Sequence, residues 1–534
     1  MKVVIVGGGA CGASTAARLR RLDEKAEITI LEASQEISIA SCGLPYFCSG
    51  VIEEEDNLRV SSPQRFKGLL NVDVRLGARV TDIDRNKKEV TINETEKLSY
   101  DKLVLALGAQ PIRPNMEGIN QPNIFTLRSL ADASLIKDYV KKHNPQKAVV
   151  VGGGFIGIEM AENLVELGLE TSVVEKAPHI LPPVDDEMAI LAENKLRSHG
   201  VSLYLGKGVE RFENNKVKLD SQESLDFDLV VLSIGVSPQT ELAASCGLDL
   251  GVRKTIKVNA QMQTSDPNIY AGGDSVEVCD FVSLQASMIP MAGPANRQGR
   301  IIADNIAGFS SSYQKTSGAA VVKIFDYTMA CVGNNEKQLQ KNNTPYGKTI
   351  VGSNSHAGYY PGAERIFLKL LFAPDGTILG AQAFGKEGVE KRVDVLATLL
   401  RQRAKVQDLI DDELCYAPPY SSAKDPVNIA GMSADNILKG LYKPAFREDL
   451  ADAYLLDVRT PDMFAKGTIK NAVNIPVAKL REQLGTLPKN KKIVVFCVTG
   501  YQSYVASRIL LQNGFTNVLS LCGGYTLYQE LEGK

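Results

Sequence analysis

The 534-residue chain has no tryptophan, only four histidines (143, 179, 199 and 356), and no run near the roughly 18 apolar residues that a membrane-spanning helix requires. The missing run excludes a bundle of spanning helices. The scarcity of histidine leaves few side chains that exchange a proton near neutral pH. Neither charge is in excess: 60 Lys and Arg stand against 62 Asp and Glu, for a net charge of −2. No global field therefore favours nucleic acid or an anionic membrane, and neither is expected as a partner. Nine cysteines, at 11, 42, 48, 246, 279, 331, 415, 497 and 522, form no CxxC pair and no Cys/His ligand spacing. That pattern argues against a disulfide framework and against structural zinc, so no metal site is expected. The N-terminus, MKVVIVGGGA, runs at once into glycines in place of a signal-peptide apolar core, which leads to the expectation of a cytoplasmic protein.

What is present is ordinary globular composition, 44% hydrophobic and 23% charged, on a chain long enough for about three or four domains. Residues 1–33 read as a βαβ unit: the apolar run KVVIV, the turn GGGACG, the helix ASTAARLRRL and the strand EITILE. The same order returns at 147, with KAVVV, GGGFIG, IEMAENLVELG and ETSVVEK. Alternating segments follow each unit, at 70–110 and 203–235. TSDPNIYAGGDSV and the helical PMAGPANRQGRIIADNIAG then bring the chain back to the first domain, which makes the other nucleotide domain an insertion within it. Residues 318–435 read as a half-buried mixed sheet with helices around VEKRVDVLATLLRQR. After a loop near GLYKPAFRED, residues 448–534 form a compact α/β pattern of their own.

Both glycine loops carry the dinucleotide-binding spacing. Gly7, Gly9 and Gly12 follow a strand and open a helix, with Glu32 closing the next strand; Gly152, Gly154, Gly157 and Glu175 repeat every element. The glycines permit a tight turn and close approach of a pyrophosphate to a helix N-terminus, while the acid accepts hydrogen bonds from a ribose. An acid at that position favours NAD over NADP, although Lys176 beside Glu175 blunts the preference. Asp274, after a strand and a Gly-Gly turn, suits ribityl hydroxyls and points to FAD in the first site. GGGACGAS, GGGFIGIE and TSDPNIYAGGD together resemble the two-dinucleotide flavoprotein disulfide reductases over residues 1 to about 435. The resemblance implies an α/β protein with two Rossmann-like domains, one for FAD (1–112 and 259–315) and one for NAD (113–258), then an α+β dimerisation domain (316–435) and a homodimer. It places FAD on Gly7, Gly9, Ala10, Gly12, Glu32, Val80, Gly273 and Asp274. It places NADH, or NADPH, on Gly152, Gly154, Phe155, Gly157, Glu159, Glu175 and Gly235.

Most members of that family carry a CxxxxC pair; SCGLPY supplies one matching cysteine, Cys42, and Cys48 lies one residue too far along. A thiolate at a helix N-terminus has a lowered pKa and attacks sulfur–sulfur bonds, which makes Cys42 the candidate nucleophile. The family's C-terminal His-Glu acid/base pair is missing, and His356 lies in a different setting. SHAGYYPGAE and CYAPPYSSAKDPVN resemble the coenzyme A-disulfide reductases, in which two tyrosines of the partner subunit reach the substrate sulfur; they correspond to Tyr359 and Tyr416 here. A phenol can supply a proton to a departing thiolate, although its pKa near 10 would need tuning. The same resemblance implies coenzyme A contacts at Ser14, Arg18, Arg21, Ser38, Ser41, Asn296 and Lys424. It departs at PQRFKGLLN, where Leu70 replaces a lysine.

LLDVRTPDMFAKGTIKNAVNIP, then KIVVF leading into Cys497 and the loop CVTGYQS, then LCGGY, resemble a single rhodanese domain over 448–534. A short loop ending in a helix N-terminus directs backbone N–H groups at a thiolate or persulfide, so Cys497 would carry sulfane sulfur. Gln502 stands where rhodaneses often have arginine. The fusion is similar to the NADH-dependent persulfide reductases. It implies reduction of a coenzyme A persulfide or polysulfide by NAD(P)H through FAD and Cys42, with release of hydrogen sulfide. The alternatives are a coenzyme A-disulfide reductase, an NADH oxidase or peroxidase cycling through a sulfenic acid, a sulfur carrier or transferase centred on Cys497, and a redox-sensing interaction protein.

Overall fold

The structure, a computed structural model, describes residues 1–533. It divides into two compact units, residues 1–180 with 200–316, and residues 181–199 with 317–534. Among the described residues no helix is long and apolar enough to cross a membrane.

The first unit is built on two parallel five-stranded sheets. One runs in the order Ile269–Ala271, Lys102–Leu105, Lys2–Val6, Glu27–Glu32 and Asp73–Leu76. The other runs Ser202–Leu205, Glu170–Glu175, Lys147–Val151, Leu229–Leu232 and Ile124–Thr126. Their central strands, VVIV and AVVV, are buried on both faces, the condition under which a parallel strand reads as an unbroken apolar run. Each sheet is accompanied by a three-stranded antiparallel sheet, Val80–Asp84, Glu89–Ile92 and Glu96–Ser99 beside the first, and Val209–Glu213, Lys216–Leu219 and Ser224–Asp226 beside the second. Strand Ile269–Ala271 pairs with Lys102–Leu105, so the chain does rejoin its first sheet after building the second. The helix Ala10–Leu22 packs along Ala292–Ile306. Buried Arg20 at its end donates to five backbone carbonyls, those of Asp23, Glu24, Ala26, Leu70 and Asn71. That arrangement spends every donor of a planar guanidinium without a carboxylate partner.

The second unit holds a five-stranded sheet ordered Ala320–Ile324, Tyr327–Gly333, Ile378–Gly385, Arg365–Phe372 and Gly347–Asn354. Every pairing in it is antiparallel, not mixed as the sequence pattern suggested. Its central strands are not half-buried either. RIFLKLLF is buried at every residue after the first, and ILGAQAFG throughout, because the helices Val389–Arg401, Pro426–Leu438 and Asp186–Ser198 pack against the sheet. The charge within RIFLKLLF is therefore compensated internally. Lys369 is fully buried, with its ammonium on Glu187 at 2.6 Å, Asp185 at 2.8 Å and Glu336. Burial opposes that charge, but the carboxylates outweigh it and hold the ammonium above its usual range.

The C-terminal module is a parallel sheet ordered Lys443–Ala445, Val518–Leu521, Ile493–Phe496, Tyr454–Asp457 and Val473–Asn474. Residues 443–445, read from sequence as part of a loop, form its edge strand on Val518–Leu521, so the segment contributes backbone pairing despite its proline, which an edge strand tolerates. Four residues separate this strand from the helix Pro426–Leu438. Buried Tyr442 is hydrogen-bonded to Ser433 at 2.7 Å, and Lys348 reaches Glu336 at 3.1 Å and stacks 4.2 Å over the Phe446 ring.

Candidate active site

The two glycine loops are built alike. Gly7 (φ +101°) and Gly152 (φ +110°) turn the chain out of their strands, and a Cβ there would lie 2.2 Å from the Ala106 carbonyl oxygen and 2.4 Å from that of Ser233. The following helices, Ala10–Leu22 and Phe155–Glu166, start at Gly9 and Gly154, which face open space, while Gly12 and Gly157 allow each helix to approach its loop. These cradles fit a dinucleotide pyrophosphate at each helix N-terminus. Glu32 accepts from the Gly8 N–H at 2.7 Å and Glu175 from the Gly153 N–H at 2.7 Å, so each acid also closes its own loop. Val80 opens the strand Val80–Asp84, and Gly235 (φ +107°) follows Leu229–Leu232.

Asp274 is half-buried behind Gly273. Burial pushes its carboxyl up, and the Arg128 guanidinium pulls it back down. Two residues that the sequence did not single out shape this turn. Gln298, itself buried, accepts from the Gly273 N–H at 2.7 Å. Arg128 donates through Nε to Ala109 O at 2.7 Å. Neither lies in a recognisable motif; Arg128 is marked only by the capping box that begins at Ser129.

Cys42 is exposed, on the short turn Ser41–Gly43 that feeds the helix Leu44–Ser49. The expected lowering of its pKa is not found. Burial of the sulfur raises it, and the carboxylates of Glu159 and Asp274 raise it further, against a hydrogen bond with Ser41. One turn of 3-10 helix and a six-residue helix supply too little dipole to overcome desolvation and two carboxylates. Cys48 is buried against Ala133 and its thiol is pushed up to about 12 by burial.

Glu159, on the helix of the second glycine loop, faces this turn. Burial and the neighbouring Glu162 push its carboxyl up to about 7, while a hydrogen bond from Tyr46 works the other way. An acid whose folded pKa exceeds its unfolded value adds stability below the unfolded pKa and loses it as pH rises through the folded one. Glu159→Gln is therefore expected to raise Tm at pH 8 and to leave it unchanged at pH 4, as calorimetry at the two pH values would read.

The residues expected to contact coenzyme A fall into two groups. Ser14 donates to Asn296 at 2.5 Å, and Arg18, one turn along, pairs with Asp304 at 2.8 Å, while Arg21 is exposed on the same face. Arg18 is therefore already paired within the protein, since the neighbouring helix supplies it a carboxylate. Ser38 (φ +51°) donates its N–H to Gly8 O at 3.0 Å, and Ser41 is exposed beside Cys42. Lys424 lies exposed in the second unit.

The second unit also brings Tyr359 and Tyr416 together, hydroxyl to hydroxyl at 2.7 Å. That hydrogen bond raises the Tyr359 pKa, the opposite of the tuning that a proton donor near neutral pH would need. The two loops bearing them are pinned by one buried guanidinium: Arg392 donates to Ser355 O at 2.7 Å, to Ser421, and to Asp425 at 2.9 Å. His356 is buried, 3.3 Å from Ala357 O and edge-on to Tyr360.

Cys497 ends the strand Ile493–Phe496 and is buried. Its sulfur accepts from the Gly500 N–H at 3.2 Å and lies 3.8 Å from the Ser503 hydroxyl, which Ser520 supports at 2.9 Å. One backbone N–H thus reaches the sulfur where a ring of them was expected. Gln502 and Tyr501 are exposed at the start of the next helix, and Cys522 is buried near Thr349.

Residues 1–299 match the family described as pyridine nucleotide-disulphide oxidoreductase, 319–426 its dimerisation domain and 441–531 the rhodanese-like domain. A coenzyme A disulfide reductase of Staphylococcus haemolyticus is 34% identical over 444 residues, 82% of this chain and 100% of that protein. An NADH oxidase of Methanocaldococcus jannaschii is 34% identical over 451 residues, 83% of this chain and 99% of that protein. Among solved structures, reduced Bacillus anthracis CoADR-RHD superposes with a TM-score of 0.96 at 46% identity, over 99% of this chain and 98% of that one. An NAD-dependent persulfide reductase from A. fulgidus superposes with a TM-score of 0.95 at 38% identity, over 99% and 100%.

Proposed function

We propose, from the premise that the chain belongs to the pyridine nucleotide-disulphide oxidoreductase family, that it uses NADH to reduce the sulfur–sulfur bond of a coenzyme A persulfide, polysulfide or disulfide. The observation that carries this reading is the Cys42 turn, whose solvent-reachable sulfur feels both Asp274, from the first dinucleotide site, and Glu159, from the second. A single thiol between the two dinucleotide sites is where electrons would pass to sulfur. Similarity over nearly the whole length to a persulfide reductase and to a CoADR-RHD supports the same assignment.

FAD on the Gly7–Gly12 loop and NADH on the Gly152–Gly157 loop would supply the electron pair. Cys42 attacks the outer sulfur, the sulfur–sulfur bond breaks, and the coenzyme A thiolate leaves. Two electrons and one proton, together the equivalent of the hydride that NADH would supply, then release hydrogen sulfide and restore the Cys42 thiolate; protonating the departed coenzyme A thiolate takes up one proton from solvent, so a turnover that ends in the free thiol consumes one NADH and one proton. Ser14, Arg18, Arg21, Ser38, Ser41, Asn296 and Lys424 would hold coenzyme A. Tyr359 and Tyr416 would act at the substrate sulfur across a homodimer interface. Cys497 would carry sulfane sulfur under the Gly500 N–H and the Ser503 hydroxyl. The domains would be 1–112 with 259–315 for FAD, 113–258 for NAD and 316–435 for dimerisation, with a rhodanese module that the edge strand Lys443–Ala445 extends back from the expected start at 448.

The test is anaerobic NADH oxidation with coenzyme A persulfide and with coenzyme A disulfide, beside oxygen or peroxide as acceptor. The expected result is a kcat/KM for the sulfur substrates exceeding that for oxygen or peroxide by at least about tenfold, a difference of about 1.4 kcal/mol in transition-state stabilisation. Faster oxidation by oxygen or peroxide would make the chain an oxidase or peroxidase.

A further inference from the structure

The Gly500 N–H, at 3.2 Å, is the backbone donor to the Cys497 sulfur, and the loop CVTGYQS contains no Lys, Arg or His to offset a negative sulfur. The other polar group on that sulfur is the Ser503 hydroxyl, 3.8 Å away in the first turn of the helix Tyr501–Gln512. While the sulfur is protonated, all three hydrogen-bonding positions of this hydroxyl are filled. Its oxygen accepts from the Cys497 S–H and from the Ser520 hydroxyl at 2.9 Å, and its own proton goes to Gly500 O at 2.8 Å. Ser520 comes from a different element, the strand Val518–Leu521. Cys497, Ser503 and Ser520 are 2%, 0% and 3% exposed, so water does not compete for these bonds.

One rotation converts this arrangement. Once the S–H proton has gone, the Ser503 O–H is free to turn from Gly500 O to the sulfur. The carbonyl it leaves is not orphaned, because Gly500 O also accepts the helical Tyr504 N–H at 3.0 Å. The bond from Ser520 is common to both states. It fixes the Ser503 oxygen while the proton swings, and donation into that oxygen strengthens the bond the hydroxyl makes onward. The backbone around the sulfur has no such freedom. The Tyr525 N–H holds Cys497 O at 2.8 Å, and Thr526 holds Val498 O with its N–H at 3.1 Å and its hydroxyl at 3.0 Å.

We propose that Ser520 is a positioning residue for sulfur transfer at Cys497: it anchors Ser503, whose hydroxyl proton turns onto the sulfur whenever that sulfur is a thiolate. The inference deepens the reading of Cys497 as a carrier of sulfane sulfur and rests on it. In loading, the Cys497 thiolate attacks the outer sulfur of a persulfide, a new sulfur–sulfur bond forms, the donor's own bond breaks and the donor thiolate leaves. In discharge an acceptor nucleophile takes the outer sulfur, and the electron pair of the broken bond returns to Cys497 Sγ. Negative charge therefore grows on Sγ during discharge, which is the step the Ser503 hydroxyl accelerates.

The experiment charges the full-length, FAD-loaded protein with coenzyme A persulfide in the absence of NADH, removes the excess and adds cyanide, which takes the outer sulfur as thiocyanate. Mass spectrometry of the Cys497 peptide follows loss of the extra sulfur. Ser503→Ala is expected to slow discharge by at least about tenfold and Ser520→Ala by at least about threefold. In the Ser503→Ala background Ser520→Ala should add nothing, because the oxygen it anchors is gone. Ser520→Thr keeps the hydroxyl and should discharge at the wild-type rate, whereas Ser520→Val, of the same shape, should be as slow as Ser520→Ala. Ser507→Ala removes the next buried hydroxyl on the same helix, one without a hydrogen-bond partner, and as the control should discharge at the wild-type rate. A wild-type rate in Ser520→Ala, an equal loss in both backgrounds, a control as slow as Ser520→Ala, or Thr and Val variants that discharge alike would overturn the proposal. If Ser520→Ala does not fold, the Thr and Val pair decides. A wild-type Cys497 peptide that takes up no sulfur would instead overturn the carrier reading, and this proposal with it.

Discussion

Cys42→Ser is expected to lower persulfide-dependent NADH oxidation by at least about a thousandfold while leaving NADH-dependent reduction of an artificial dye at its wild-type rate. The hydroxyl is nearly isosteric with the thiol, and residue 42 is exposed on a turn, so neither the fold nor the glycine loops have reason to change. What is lost is a polarisable atom whose conjugate base, although burial and two carboxylates disfavour it, can form a bond to sulfur. Cys497→Ser should do the opposite. Its sulfur is buried beneath Gly500 and Ser503, remote in the chain from the dinucleotide loops, so reduction of preformed coenzyme A persulfide should persist while sulfur transfer from a sulfane donor through the rhodanese module disappears. Stopped-flow kinetics with both donors separates the two. Persulfide reduction retained in the Cys42 variant would remove Cys42 from the chemistry, and loss of that reduction in the Cys497 variant would make the chain a sulfur carrier first.

The other large effect concerns stability. Arg392→Met keeps much of the side-chain volume but leaves Asp425, 1% exposed, without its guanidinium, and frees Ser355 O and Ser421 from the same donor. Breaking one half of a buried ion pair costs roughly 3–5 kcal/mol because the remaining charge is left uncompensated. The expected result is a lower unfolding midpoint in urea, with limited proteolysis opening the loops at 355–364 and 412–425. Because these loops bear Tyr359 and Tyr416, any rate that depends on the tyrosine pair should fall with them. Adding Asp425→Asn should recover part of the stability by removing the orphaned charge, although that change also weakens the cap that Asp425 gives to Val427 N–H. A double variant no more stable than Arg392→Met would show that the cost lies in packing.

Features carried by contiguous residues were legible in the sequence. Both glycine loops, their terminal acids, the Cys42 turn and the Cys497 loop are short motifs in which spacing alone encodes geometry. What was not legible depends on residues distant in the chain. Glu159 was assigned to a dinucleotide, and nothing in its own segment shows that Tyr46, 113 positions earlier, would lie against it; the resulting electrostatics reverse the pKa direction expected for Cys42. The pairing of Arg18 with Asp304 was hidden in the same way, because the carboxylate lies on another helix. Lys369 interrupts an otherwise apolar strand, and only the fold brings it the three carboxylates, from two other segments, that compensate its charge. Residues 443–445 carry too few side chains to announce a strand, and only their partner, Val518–Leu521, makes them one.

The four-residue connection between the helix Pro426–Leu438 and the strand Lys443–Ala445 has a consequence for sulfur traffic. Its last residue, Tyr442, is locked by hydrogen bonding to Ser433 on that same helix. The Cys497 module thus has no flexible tether on which to swing away from the antiparallel sheet, and linker-enhanced effective concentration is not at its disposal. On the proposed reading, sulfur leaving Cys497 travels on a small diffusing thiol, and the flux from that module becomes a matter of how much of the thiol the surrounding solution contains.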